Sequence, residues 1–503
     1  MVGMLKYVFL ALFIVVMILV GIISRRKIQN VQDFFLGGRK MGPWLSAFAY
    51  GTTYFSAVIF IGYAGKIGWN FGISATFIGI GNALLGSLLA WLVLARRTRR
   101  MTHELGAATM PEFFEKRYGS KAMKIVTALI IFIFLVPYSA SVYQGLAYLF
   151  ETTFGVPFIY CMAAMALLTG IYLLLGGYVA TALNDFIQGI IMLIGVVLMI
   201  YFILSHPSVG GLSAGLQKLS QIPGDGPGLV SVFSAQPLNL LGLIILTSLG
   251  TWGLPQMVHK FYAIKDDQAV KRGTVISTAF ALIIAGCAYF VGAFGRLFLS
   301  NNMPVGANGK PNADMVMPLV LEKAMPDALI GVIVILVLSA SMSTLSSLVL
   351  VSSSAISLDL VKGTLFPNMK KENVMLLMRA LCGLFVICSF MVAVTPNSIL
   401  ALMSFSWGTV AGAFLAPFLY GLYWKRTTKA GAWAGFISGF AVSLAGAIVY
   451  RMDAAVAPNI GAVAMLVSLA VVPAVSLVTA KMPQKQLDRA FGKTDAGKLE
   501  MEM

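Results

Sequence analysis

Ala49-Tyr50-Gly51-Thr52-Thr53-Tyr54-Phe55-Ser56 decides how this chain is read, together with its echo Ser248-Leu249-Gly250-Thr251-Trp252-Gly253-Leu254-Pro255-Gln256. Each segment sits inside an apolar run long enough to cross a bilayer and interrupts it with glycine, hydroxyls or proline. Glycine tolerates unwound backbone, and proline withdraws a donor. Unwound backbone at membrane depth survives only where it lines protein or a cavity. A kink without a ligand would account for either interruption alone. The matched pair falls in the first helix of two successive five-helix blocks, which is the sequence pointer to a transporter's binding site between inverted repeats.

A crossing helix needs about 20 mostly apolar residues. Thirteen such runs are predicted, over 4–24, 44–65, 73–95, 121–150, 157–175, 178–204, 236–258, 272–298, 327–358, 374–394, 396–424, 431–450 and 458–480. The composition agrees: of 503 residues, 59% are apolar and only 11% charged, against about 25% charged in a soluble domain. Mean hydropathy is +0.88. The predicted fold class is an all-α polytopic membrane protein. Residues 1–480 form a single transmembrane domain, with inverted repeats at about 42–204 and 236–424, and 481–503 form a cytoplasmic tail.

The formal charge of +17 would suggest nucleic acid in a soluble protein. Here it follows the connections. With the N-terminus outside and the C-terminus cytoplasmic, seven of the 36 Lys and Arg residues lie outside: Lys6, Lys66, Lys218, Arg296, Lys310, Lys323 and Arg451. The other 29 lie inside, in clusters such as Arg96-Arg97, Arg99-Arg100 and Lys260 to Arg272. That asymmetry sets orientation in a plasma (inner) membrane, so the expected partners are the lipid bilayer and a small-molecule substrate. No nucleic acid and no obligate protein partner are expected. Cys161, Cys287, Cys382 and Cys388 all lie in spans as small packing residues. The three histidines lie in or beside connections, and Gly309-Lys310 is followed by Pro311, so no phosphate-binding loop exists for ATP-driven pumping. No nucleophile and base converge for a membrane enzyme.

Ionisable groups at membrane depth are costly and suggest function. Eighteen of the 19 acids fall in connections, helix ends or the tail; Asp185, in Ala182-Leu183-Asn184-Asp185-Phe186-Ile187-Gln188, is the exception. It is either a helix-end carboxylate or a cation or proton carrier. No intramembrane Lys or Arg offers itself as a partner, which favours a mobile cation. The ninth span carries Ser339-Ala340-Ser341-Met342-Ser343-Thr344-Leu345-Ser346-Ser347, in which positions 340, 343, 344 and 347 share a helix face. Their oxygens suit a hard cation, although serines also bond back to their own helix or let helices pack closely.

These residues resemble the sodium/solute symporter family, in particular its proline- and pantothenate-symporter-like members. Leu36-Gly37-Gly38-Arg39 with Gly42-Pro43 is similar to the family's loop between the first two helices. Leu175-Gly176-Gly177-Tyr178 with Asn184-Asp185-Phe186-Ile187-Gln188 is similar to its fifth-to-sixth-helix signature. Met342-Ser343-Thr344-Leu345-Ser346-Ser347 resembles its sodium-site helix, and Ala416-Pro417 with Tyr423-Trp424-Lys425-Arg426 and Gly431 the end of its eleventh. The resemblance implies a leucine-transporter-type 5+5 inverted repeat with one extra N-terminal and two extra C-terminal helices. It implies Na+ as the coupling ion, with a first site at Thr52, Phe55, Ala340, Ser343 and Thr344. A second site is implied at Asp185, Ser346 and Ser347, shared with Ser343. Substrate candidates are Tyr54, Ser56, Tyr138, Thr251 and Trp252, with Gln144, Phe405 and Trp407 beside them. The expected function is sodium-coupled import of a small polar organic solute, an amino acid such as proline or an organic acid. Proton coupling through Asp185 and sodium/sugar symport remain alternatives.

Overall fold

A computed structural model describes residues 2–25, 35–306, 309–395 and 398–492. Among them there is no strand; two isolated bridges, Met41 with Ile264 and Val305 with Pro311, are the only β-type pairings. The long helices are α1 (Val2–Arg25), α2 (Pro43–Tyr54), α3 (58–71), α4 (76–104), α5 (Lys121–Phe154) and α6 (Phe158–Ser205). They continue as α7 (Pro237–Gly253), α8 (Pro255–Tyr262), α9 (Asp267–Gly292), α10 (Asp327–Ser354), α11 (Lys371–Val394), α12 (Ile399–Tyr423), α13 (Lys429–Val449) and α14 (Ala457–Val478).

Nine helices among the described residues are long and apolar enough to cross a membrane, ten with α7 and α8 taken as one bent span. Thirteen is not reached on that measure because part of the second expected span runs on into the third in 58–104, and the first and fifth count only as shorter apolar helices, Lys6–Val20 and Phe158–Leu168. Gly72, at φ +58°, turns the chain between α3 and α4 where a side chain would collide with Leu229. The 48 residues of α6 would reach about 72 Å. Its ends nevertheless lie at one end of the bundle: Phe158 packs on Tyr148, which bonds Asn312, while His206 packs on Phe298. Midway, Tyr178 and Asp185 lie at the other end, against His259 and Lys260. The stretch therefore covers the fifth and sixth expected spans, out and back.

The two ends differ in charge. At the basic end, Arg96, Arg99 and Arg100 converge on Asp267. Arg39 donates to Ala107 O, and the strand-like contact of Met41 with Ala263 and Lys265 zips the entry of α2 to the exit of α8. The expected tail is not loose over its described part. Helix Gln484–Phe491 seats the buried Phe491 ring beneath Arg97, Arg117 and Lys425 at 5.1–5.7 Å; 493–503 lie outside the described residues. At the opposite end Arg296 grips Asp225 (2.7 Å) and Trp69 O (2.8 Å).

Burial places the helices. On α1, Val8, Leu12, Val15, Leu19 and Ile22 step by three and four into one exposed apolar stripe, while Phe13 and Met17 face inward. That stripe is a lipid-facing surface. The most apolar window of α12 is 94% buried and that of the 329–365 stretch containing α10 is 89% buried, against 28% for α13. The first two form the centre. Membrane helices approach closely where residues are small: Gly68 of α3 sits on Gly292 of α9, and Gly439 of α13 on Gly412 of α12.

Candidate functional site

The break in α2 falls at 55–57, where Phe55 takes extended geometry (φ −109°, ψ 107°). The amide of Ala57 turns to Ser341 Oγ (3.2 Å) and that of Val58 to Ser56 Oγ (3.2 Å). In an uninterrupted helix those amides would serve the carbonyls of Thr53 and Tyr54, so the break frees backbone oxygens at the helix end. Gly51 stays helical; the Phe280 ring lies against it, so it serves close packing. In the second interrupted span Leu254 is pushed to ψ 121° by the following proline, which bends α8 by 45° from α7.

The freed oxygens of α2 meet α10. Thr344 Oγ1 lies 3.1 Å from Ala340 O, 3.1 Å from Thr53 O and 3.3 Å from Thr52 O. A hydroxyl has one proton, so three carbonyls compete for one donor. Ser343 Oγ adds a bond to Thr52 Oγ1 at 2.8 Å. This excess of hard acceptor oxygens, all buried, fits a small hard cation. Thr52, Ala340, Ser343 and Thr344 are thus brought together, with Phe55 marking the end of the helix. Ser346 turns back to Ser343 O (2.9 Å).

Asp185 requires a correction. It is fully buried, but it has a partner: Lys260 Nζ lies 3.5 Å from its Oδ2, and Lys260 is only 2% exposed. The same ammonium donates to Ser347 Oγ (3.0 Å), which shares a hydrogen bond with Thr53 Oγ1 (3.0 Å), and it sits 5.3 Å over the Tyr178 ring. The expectation that Lys260 belongs to the loop cluster ignored the break, because α8 carries it back into the bundle. Asp185 is also not the only buried acid. Asp359 accepts from Thr109 (2.7 Å), and Asp314 accepts the Ile399 amide (3.2 Å) at the start of α12.

Beside the α2 break lies a small cavity of about 20 Å³, lined by Tyr54, Ser56, Tyr138 and Trp407 among the sequence candidates. Tyr63, Asn82, Thr247 and Tyr289 complete its polar wall, and no charged side chain lines it. Tyr54 OH donates to Thr247 O (2.6 Å), while Asn82 Oδ1 accepts from Thr247 (2.8 Å) and Ser248 (3.2 Å). Tyr138 OH lies beside the Ser56 and Thr344 hydroxyls, Trp407 Nε1 is buried with no hydrogen-bond partner, and the two rings meet edge to face at 5.6 Å. Thr251 and Trp252 do not reach the lining: they donate to Gly86 O (3.1 Å) and Leu85 O (3.0 Å) of α4. Gln144 bonds Ala393 O and Thr395 O, and Phe405 packs on Phe134. Asn82, a lone amide in an apolar run, carried the one sequence signal for the missed residues.

Known proteins resemble this chain in sequence and in fold. The sequence model of the Sodium:solute symporter family matches residues 34–439. The sodium/proline symporter of Salmonella typhimurium is 31% identical over 429 residues, covering 84% of each chain. The osmoregulated proline transporter OpuE of Bacillus subtilis is 28% identical, covering 86% of this chain and 87% of its own. In fold, a Na+-coupled sialic acid symporter in a substrate-bound outward-open state superposes with a TM-score of 0.77 at 18% identity, covering 95% of this chain and 98% of that one. The chain belongs to the sodium:solute symporter family and is a multi-pass membrane protein that couples sodium to the import of a solute.

Proposed function

We propose that the imported solute is L-proline or a similarly compact amino acid. The observation that carries this is a small uncharged cavity at a helix break, lined by Tyr138 and by Trp407, whose Nε1 is a buried donor without a partner. A buried donor without an acceptor costs about 1–3 kcal/mol, so a ligand acceptor there is stabilising. The N-terminal end of α3 faces the same cavity and suits a carboxylate without any arginine. The proline transporters among the relatives support the same substrate class.

Sodium binds at Thr52, Phe55, Ala340, Ser343 and Thr344, between α2 and α10, one wall away from the solute. Binding there ties a broken helix to a central one and favours the state open to the outside; release inside lets the solute follow. The chain crosses the membrane thirteen times, with the N-terminus outside and the basic end cytoplasmic, as two inverted repeats over about 42–204 and 236–424. The test is uptake of labelled L-proline into proteoliposomes. An inward sodium gradient should drive it, a potassium gradient should not, and Thr344→Ala should raise the sodium needed for half-maximal uptake at least tenfold. Uptake indifferent to sodium would overturn the sodium site. Sodium-dependent binding of other solutes but not of proline would overturn the substrate.

A further inference from the structure

We propose that the Lys260 ammonium is the resident cation of the Asp185 oxygen cluster, so that this transporter binds one sodium, not two. The inference rests on the sodium site above.

The cluster gathers oxygens from three helices. Asp185 comes from α6, Ser347 from α10, and Thr53 from the end of α2, joined to Ser347 by their hydroxyls at 3.0 Å. This is the company a sodium ion would keep. An ammonium already keeps it. Nζ already has three neighbours: Asp185 Oδ2 (3.5 Å), Ser347 Oγ (3.0 Å) and the Tyr178 ring (5.3 Å to its centroid). Both ends of the pair are shut away from solvent, at 2% and 0% exposure. A carboxylate buried like this needs a cation, and an ammonium buried like this needs an anion. A second positive ion in the same space would face the ammonium at contact distance.

Lys260 lies on α8, the half-helix beyond the second break, so the pair ties α8 to α6 and, through Ser347 and Thr53, reaches the end of the broken α2 at the basic end of the bundle. It does there what a bound ion would do, but it stays attached to the chain. One oxygen of the acid, Asp185 Oδ1, has no hydrogen-bond partner. Removing the ammonium would leave that carboxylate, two hydroxyls and a lysine-sized space, which is a sodium site.

The experiment counts radiolabelled Na+ bound at saturation by the purified full-length chain, with L-proline present. Wild type should bind one sodium per chain. Lys260→Met, close in length but uncharged, should bind two and raise the Hill coefficient of sodium-driven uptake from about one towards two. Asp185→Asn combined with Lys260→Met should return both to one. A wild-type count of two overturns the inference without recourse to any variant. So does a folded Lys260→Met protein that still binds one. A wild-type count of zero overturns the sodium site itself, and this inference with it.

Discussion

Single buried residues make the fold's stability depend on pH. Asp314, in the turn Ala313–Met315 between helices, is 4% exposed, and one of its oxygens has no partner. Burial pushes its carboxyl up to about 6, from 3.8, against the pull of the Ile399 amide and Lys66. A group whose folded value is raised contributes its full stability below the unfolded value and loses it as pH rises through the folded one. Asp314→Asn keeps an oxygen for the Ile399 amide without the charge. It should melt higher than wild type above pH 6, by up to about 3 kcal/mol, and the two should converge towards pH 4. A wild type that melts higher above pH 6 would show that Lys66 holds the carboxylate more firmly than burial opposes it.

The shared face of Ala340, Ser343, Thr344 and Ser347 was legible in the sequence at this scale, because residue type and a three-four spacing place them together. Lys260 was not. Loop lysines and buried lysines look alike in a string of letters, and Lys260 stands a short way past the bend at Leu254 and Pro255, next to the charges of the following connection. Only the direction of α8 separates the two. The cavity wall was half legible: Tyr54, Ser56 and Tyr138 stand at breaks or beside Pro137, whereas Tyr63 and Tyr289 sit on helices with no local mark.

At the scale of elements, breaks and seams divide the work. The breaks expose backbone oxygens and amides to ligands, and the seams hold everything else still. Both breaks were visible as Gly, Pro and hydroxyl clusters, but which residues unwind was not, since Gly51 is spent on packing against Phe280 and the helix opens at 55–57 instead. Along α12, Gly408 meets Gly461 of α14 at 2.6 Å from its would-be side chain, and Gly412 meets Gly439 of α13. Gly439→Val should therefore destabilise the fold by about 1–3 kcal/mol through overpacking. Gly383→Val, on α11 with open space around it, should leave the melting temperature unchanged. Equal effects of the two would show that helix propensity, not the seam, sets the cost.

The whole molecule shows its sidedness in charge. The guanidinium cluster on Asp267 and the cationic clamp on Phe491 lie at one end, and Arg296 with Lys323 and Lys66 at the other. In a variant without the four native cysteines, Lys310→Cys should react with an impermeant maleimide on intact cells, and Lys485→Cys only after permeabilisation. The reverse pattern would invert the proposed orientation. Such global features were the most legible of all, because they are sums over many residues and survive errors at any one.

The ion pair of Lys260 and Asp185 also bears on how steeply a cell can concentrate its solute. A lysine that stays with the protein does no electrical work for the cargo. One charge crossing 100 mV is worth about 2.3 kcal/mol, enough for roughly 40-fold accumulation of a solute without net charge, whereas two charges would support roughly 2,000-fold. A one-sodium carrier surrenders that upper range, yet it keeps working where sodium is scarce, and its uptake rises in simple proportion to sodium instead of with the square. If Lys260 holds the place of a second ion, as proposed, the cost is the upper range of accumulation and the gain is a first-order dependence on sodium.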